Sequence, residues 1–137
     1  MSTVSAAGVG RADITPPIGT YLAGYGGRLF GSKGVLDALT ATVLVLDDGT
    51  SRVALVALDL LAAHEDAVAA LRSEVERTAG VPADNVLVAC SHSHAAPVAS
   101  APQGCRPRQT AYLELLVRWV GEAATAAVAG LTETTLH

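Results

Sequence analysis

The fold is decided by one stretch, "VALVALDLLAAHEDAVAALRSEVERTAGVPADNVLVAC", Val53 to Cys90. It begins with a run, Val53 to Leu58, that is apolar at every position. Such a run suits a central strand covered on both faces rather than a half-solvated one. The middle, "HEDAVAALRSEVERTAG", is amphipathic. Val68, Leu71 and Val75 recur at helical spacing, while Glu65, Asp66, Arg72, Glu74 and Glu76 supply the other side. Acidic residues in the first turn suit the positive end of the helix dipole. Gly80 and then Pro82 are stop signals. The stretch closes on "NVLVAC", a second short apolar strand. Parallel strands need a crossover connection, and residues 62–84 have the right length for one. A βαβ unit is therefore predicted, and with it an α/β layered fold with a partly parallel sheet.

Outward from that unit the pattern stays consistent. "GVGRADITPP" reads as a first strand stopped by Pro16 and Pro17, because proline cannot donate to a strand ladder. "IGTYLAGYGGRLFGSKG" is dense in glycine, has little hydrophobic period and reads as a long ordered loop. Two β-rich runs flank Asp48-Gly49, a hairpin signal. "QTAYLELLVRWVGEAATAAVAGL" reads as a long helix. Tyr112, Leu115, Leu116, Trp119, Val120, Ala123 and Ala127 form its apolar face, and Trp119 is expected in the core. Glu114, Arg118 and Glu122 stand four apart on a polar stripe. "TETTLH" sits where another strand can begin.

Bulk properties narrow the function classes. The chain has 137 residues, half of them apolar but only 4% aromatic, so its core is built from Ala, Val and Leu. The formal net charge is −4, with no basic stripe, which argues against nucleic acid. No polybasic run suggests a membrane patch. No apolar run is long enough for a transmembrane segment, and the first residues lack the pattern of a secretory signal. A cytoplasmic protein is expected, with Cys90 and Cys105 as free thiols.

The chemistry is expected past the carboxyl ends of the two parallel strands, where open α/β sheets bind ligands. Asp59 lies at one such end, and "SHSH", Ser91 to His94, lies just past the other. In extended backbone, residues i and i+2 point the same way, so His92 and His94 can offer nitrogens to one volume. That arrangement suits zinc or a similar cation. Alternatively one imidazole ligates while the other donates a hydrogen bond or carries a proton. The plain reading is two polar residues on a surface loop. Asp59 either lines the crevice or bonds backbone amides and caps a helix. Arg28 can reach an anionic or carbonyl group there. Ser91 and Ser93 lack a Gly-x-Ser-x-Gly elbow. The glycines of "GYGGR" lack a phosphate fingerprint and are conformational. His64 reads as a solvent-facing helix-start residue and His137 as a terminal one.

Five stretches occur together in an order that resembles the N-terminal part of the neutral/alkaline non-lysosomal ceramidase family. They are "GVGRADITPPIG", "LAGYGGR", "VLVLDDG", "VALVALDLL" and "VLVACSHSHAAP". The resemblance runs from about residue 7 to the end of the chain. It implies a zinc-dependent amidase that cleaves the N-acyl bond of ceramide, or a similar lipid amide, to a sphingoid base and a fatty acid. By that match His92 resembles the family's first zinc ligand. His94 resembles the neighbouring histidine that faces substrate, giving it a catalytic role, and Arg28 and Asp59 are candidate substrate-binding residues. Three departures stand out. The family's other ligands, a His, a Glu and a Tyr, come from sequence further downstream. Gly34-Val35-Leu36 stands where many relatives have a histidine in third place. Ala95-Ala96 stands where the family motif has Ser-Gly. Residues 1–137 are thus expected to be an incomplete portion of a larger catalytic domain, with a separate chain as one place for the remainder. The competing expectation is a non-catalytic α/β module without metal.

Overall fold

The computed structural model describes residues 6–97, 99 and 110–135. Strand β1 (Ala6–Asp13) leads through the glycine-rich loop to β2 (Thr40–Asp47) and β3 (Arg52–Leu58). Helix α1 (Glu65–Ala79) and a short 3-10 turn (Ala83–Asn85) precede β4 (Val86–Cys90). Helix α2 (Thr110–Ala129) and a two-residue strand β5 (Thr132–Glu133) complete the described chain. The five strands form one sheet in the order β4-β3-β2-β1-β5. Only β3 and β4 run parallel, with Leu58 beside Cys90 at their carboxyl ends. The predicted βαβ unit and hairpin are both present. The hairpin turns through Asp48–Ser51, where the Asp48 carboxylate accepts from the Thr50 and Ser51 amides at 2.8 and 2.7 Å.

Helix α1 keeps its period with a shifted face: Ala67, Leu71, Val75 and Ala79 are buried, Val68 is half-buried, Glu74 packs against Gly121 of α2, and Gly80 ends the helix in the left-handed region at φ 65°. Helix α2 buries Tyr112, Leu116, Val120, Ala123 and Ala127, while Leu115 and Trp119 are half-buried at the margin. Tyr112 donates its hydroxyl to the Ile14 carbonyl at 2.8 Å, tying α2 to the end of β1. Burial pushes that phenol up from its ordinary range. Both helices join one core with Val43, Val45, Val56 and Leu58. Gly8 and Gly10 explain how α2 lies so close. A Cβ on Gly8 would collide with the Ala127 carbonyl oxygen, and one on Gly10 with that of Ala123.

The expectation that β3 is covered on both faces is corrected. Ala54, Val56 and Leu58 are buried, but Val53 and Leu55 are 40% and 38% exposed. Both helices lie on one face. A continuous apolar run reads the same whether one face or two are covered, so burial had to be read from the fold. The open face carries a cross-strand row at one register: Val9 opposite Leu44, Leu44 opposite Leu55, Leu55 opposite Leu87.

Candidate functional site

One edge of the sheet gathers Asp59, His92, His94 and Arg28. Asp13 pairs with Thr40, so the end of β1 and the start of β2 lie on the edge where β3 and β4 end. The glycine-rich loop, the segment after Leu58 and the segment after Cys90 all leave from there.

Asp59 bonds across this edge and also lines a hollow of about 240 Å³ with Thr40, Thr42 and Ser91. One carboxylate oxygen accepts from the Thr40 amide at 2.9 Å and the Thr40 hydroxyl at 2.6 Å. The other accepts from the Ser91 hydroxyl at 3.1 Å. These bonds, Thr40 foremost, hold the carboxyl below its ordinary range. Asp59 therefore staples three strand ends together, the amide-bonding reading of this residue.

Beyond β4 the parallel pairing continues for two more rungs. The Ser91 amide donates to the Leu58 carbonyl at 2.9 Å and the Ser93 amide to that of Leu60 at 3.2 Å. Between them His92 takes φ 62°, the left-handed region that few non-glycine residues enter. His94 then lies in a turn. The two histidines thus meet through one left-handed residue and not through simple strand alternation. Their ring centroids are 5.0 Å apart at an interplanar angle of 72°.

The His92 ring is oriented. Its Nδ1 lies 2.9 Å from the Leu61 carbonyl oxygen, which can only accept, so Nδ1–H is the donor. In the neutral ring that leaves the Nε2 lone pair free. A backbone carbonyl on the far nitrogen is the usual support of a metal-ligating histidine.

His94 is gripped by the glycine-rich loop. The Ala23 amide donates to the Ala96 carbonyl at 2.7 Å, and Leu22 bridges to Pro97. Gly24, at φ 99°, presses against His94, and a Cβ there would fall 2.6 Å from the His94 Cα. The Tyr25 ring meets the His94 ring edge-on at 5.4 Å. Arg28 places Nη1 3.4 Å from both the Ala23 and His94 carbonyls and stacks 5.4 Å over Tyr25. The conformational reading holds for Gly24, whereas Gly26 and Gly27 have neither a positive φ nor a neighbour within 4 Å of an added Cβ. Tyr25 and the Leu61 carbonyl were not singled out in the sequence. Tyr25 sits inside "LAGYGGR", but its partner is some seventy residues away, and no local pattern links them.

The other candidates lie apart. His64 precedes α1 as its N-cap residue and makes no side-chain capping bond. Cys90 is a half-buried free thiol, and burial pushes its pKa up, which suits an inert side chain. Cys105 and His137 lie outside the described residues. Among the described residues, no group of three or more His, Cys, Asp or Glu side chains comes together. Nor is any described helix long and apolar enough to cross a membrane.

Fold and edge together define the class: an α/β unit with two helices on one face of a mixed five-stranded sheet and an oriented histidine pair at its carboxyl edge. Among solved structures it is similar to the neutral ceramidase from Pseudomonas aeruginosa, with a TM-score of 0.78 at 21% identity. It is also similar to a ceramidase complexed with C2, with a TM-score of 0.76 at 21% identity. The first likeness covers 97% of this chain and 23% of that one, the second 95% and 22%. The chain therefore spans less than a quarter of the structures whose fold it shares. No family model and no curated protein matches the sequence. The fold implied by the motif resemblance is the fold observed.

Proposed function

We propose that this chain is part of a zinc-dependent amide hydrolase of the neutral ceramidase kind, acting on the N-acyl bond of a lipid amide. The observation that carries the reading is the His92 ring, fixed by its Nδ1–H bond to Leu61 so that Nε2 is free, with His94 beside it. The ceramidase fold matches support this choice of reaction class.

The donor set fits a zinc site in part. A catalytic zinc takes about three protein ligands, and the described residues offer two imidazoles at most. Under this reading the remaining ligands belong to polypeptide beyond those residues. Zinc bound there supplies a Lewis acid for the amide carbonyl and for water. His92 holds its position through Leu61. His94, backed by Tyr25 and by Arg28 on its carbonyl, faces the substrate and donates to oxygen as charge develops there. Asp59 keeps the strand ends in register beneath the pair.

Zinc titration of the purified chain, followed through the imidazole NMR signals, tests the ligand assignment. Zinc is expected to perturb the His92 Nε2 signal, and His92→Ala is expected to remove the response. An unchanged response in His92→Ala sinks it. The chain alone is expected to release no fatty acid from an N-acyl substrate. The second reading, a metal-free α/β module, draws on the lack of a three-ligand cluster among the described residues. It gains if zinc leaves both imidazoles unperturbed.

A further inference from the structure

We infer that Tyr25, braced by Arg28, is a positioning residue that sets the angle of the His94 ring against His92. The use of that ring at a carbonyl rests on the hydrolase reading. Its fixing belongs to the chain itself and is tested without metal.

The two imidazoles are held by different means. His92 is aimed by the hydrogen bond from Nδ1 to the Leu61 carbonyl. Neither ring nitrogen of His94 has a hydrogen bond among the described residues. A histidine side chain turns about χ1 and χ2, so without such a bond its ring is fixed by what packs on it. The Gly24 backbone lies against the stem, where an added Cβ would fall 2.6 Å from the His94 Cβ and 2.7 Å from its Cγ. The His92 ring stands 5.0 Å away at 72°, and the Tyr25 ring 5.4 Å away at 76°. Among the described residues the Tyr25 and His92 rings make no contact with each other, so His94 is the middle ring of three. Edge-to-face contact is what the quadrupoles of two π-systems favour. It fixes direction as well as distance, because the rim of one ring seeks the face of the other.

Tyr25 is set in turn by its own loop. The Arg28 amide donates to the Tyr25 carbonyl at 3.2 Å, closing the turn Tyr25 to Arg28. The guanidinium comes back over the Tyr25 ring, 5.4 Å from its centroid, where the ring face attracts a cation. It also reaches the Ala23 and His94 carbonyls at 3.4 Å. Each of these partners belongs to the seat of His94, so Arg28 acts through Tyr25 and not as a substrate anchor. Tyr25 is 61% exposed and lies outside the core, so the fold of this chain does not rest on it. Its hydroxyl has no hydrogen bond among the described residues. The working part is the ring. Under the hydrolase reading, a group that donates to developing charge has to hold its angle before substrate arrives.

The test is NMR of the purified, metal-free chain with labelled histidine. Three-bond couplings report χ1 of His94, and the nuclear Overhauser effect reports its contact with the His92 ring. The parent is expected to show one His94 rotamer and a clear contact between the two imidazoles. Tyr25→Ala should average the rotamers and lose that contact. Tyr25→Phe should keep both, since the ring remains. Arg28→Gln should lose part of each. Phe30→Ala removes another exposed ring of the same loop and should match the parent. The urea midpoint of Tyr25→Ala should also match, and the Ala23 amide, bonded to Ala96, should stay protected from exchange.

A single His94 rotamer in Tyr25→Ala overturns the proposal, as do several rotamers in the parent. Failure of Tyr25→Phe to hold the ring overturns it too, by moving the role to the hydroxyl. So does loss of Ala23 protection in Tyr25→Ala, which makes Tyr25 merely structural. An unchanged His94 in Arg28→Gln overturns the brace. Zinc is absent throughout, so a failed ligand assignment for His92 leaves this result standing, and a loose His94 ring leaves that assignment standing.

Discussion

The two faces of this sheet are both apolar, yet they are built differently. Where α2 crosses β1 the covered face uses Gly8 and Gly10, so that the helix backbone comes close, and Val43, Val45, Val56 and Leu58 fill the core beside them. The open face uses Val9, Leu44, Leu55 and Leu87 in one cross-strand row. The glycines mark where backbone meets backbone, and the exposed row marks large side chains that no described element covers. Towards the carboxyl edge the open face turns polar, ending in Asp13, Thr40, Asp59 and Ser91.

Paired substitutions across the faces can break this contrast. Gly10→Val should have the largest effect, because the new Cβ meets backbone oxygen that cannot swing aside. A loss of more than about 3 kcal/mol is expected in urea denaturation. Val9→Thr, the adjacent residue on the other face, should stay within about 0.5 kcal/mol. Similar losses from both would abolish the distinction.

Next in size, Leu71→Ala removes a fully buried side chain of α1 and should cost about 2–5 kcal/mol. Leu87→Ala removes one that is 56% exposed and should cost about 1 kcal/mol or less. The same melts read both. Leu55→Lys with Leu87→Lys should leave the melting temperature nearly unchanged while lowering concentration-dependent light scattering. Scattering equal to the parent would mean that the aliphatic row does not govern association.

The smallest effect sharpens the polar end of the open face. Asp59→Asn should cost about 1 kcal/mol near neutral pH through weakened hydrogen bonds. The folded pKa of Asp59 lies below its unfolded value of about 3.9. Its contribution is therefore fully present above that value and is lost as pH falls through the folded pKa. The stability gap between parent and variant should narrow below about pH 4. A gap that widens in acid would contradict the staple.

Elements that announce themselves locally were legible in the sequence. Leu71 and Val75 carry the helical period, Gly80 the stop, and Asp48-Gly49 the turn. The strand-end position of His92 and His94 followed from the βαβ unit. What escaped depends on residues far apart in the chain. The grip of Gly24, Tyr25 and Arg28 on His94 needs the Ala23–Ala96 hydrogen bond, which no neighbouring residue signals. The open face of β3 escaped because Val53 and Leu55 are as apolar as Val56 and Leu58. The bonds of Asp59 to Thr40 and Ser91 span 19 and 32 residues of sequence, and no local pattern signals them.

The φ of 62° at His92 sets up a trade-off between durability and use. A left-handed backbone costs a side-chain-bearing residue roughly 1–2 kcal/mol, a cost glycine escapes. For endurance alone, glycine is the better occupant of position 92, offset only by the lost bond to Leu61. That bond is itself a device for aiming a ring. The loop carries a standing thermodynamic handicap, and under the proposed zinc-site reading its return is an imidazole nitrogen held in place before the metal arrives.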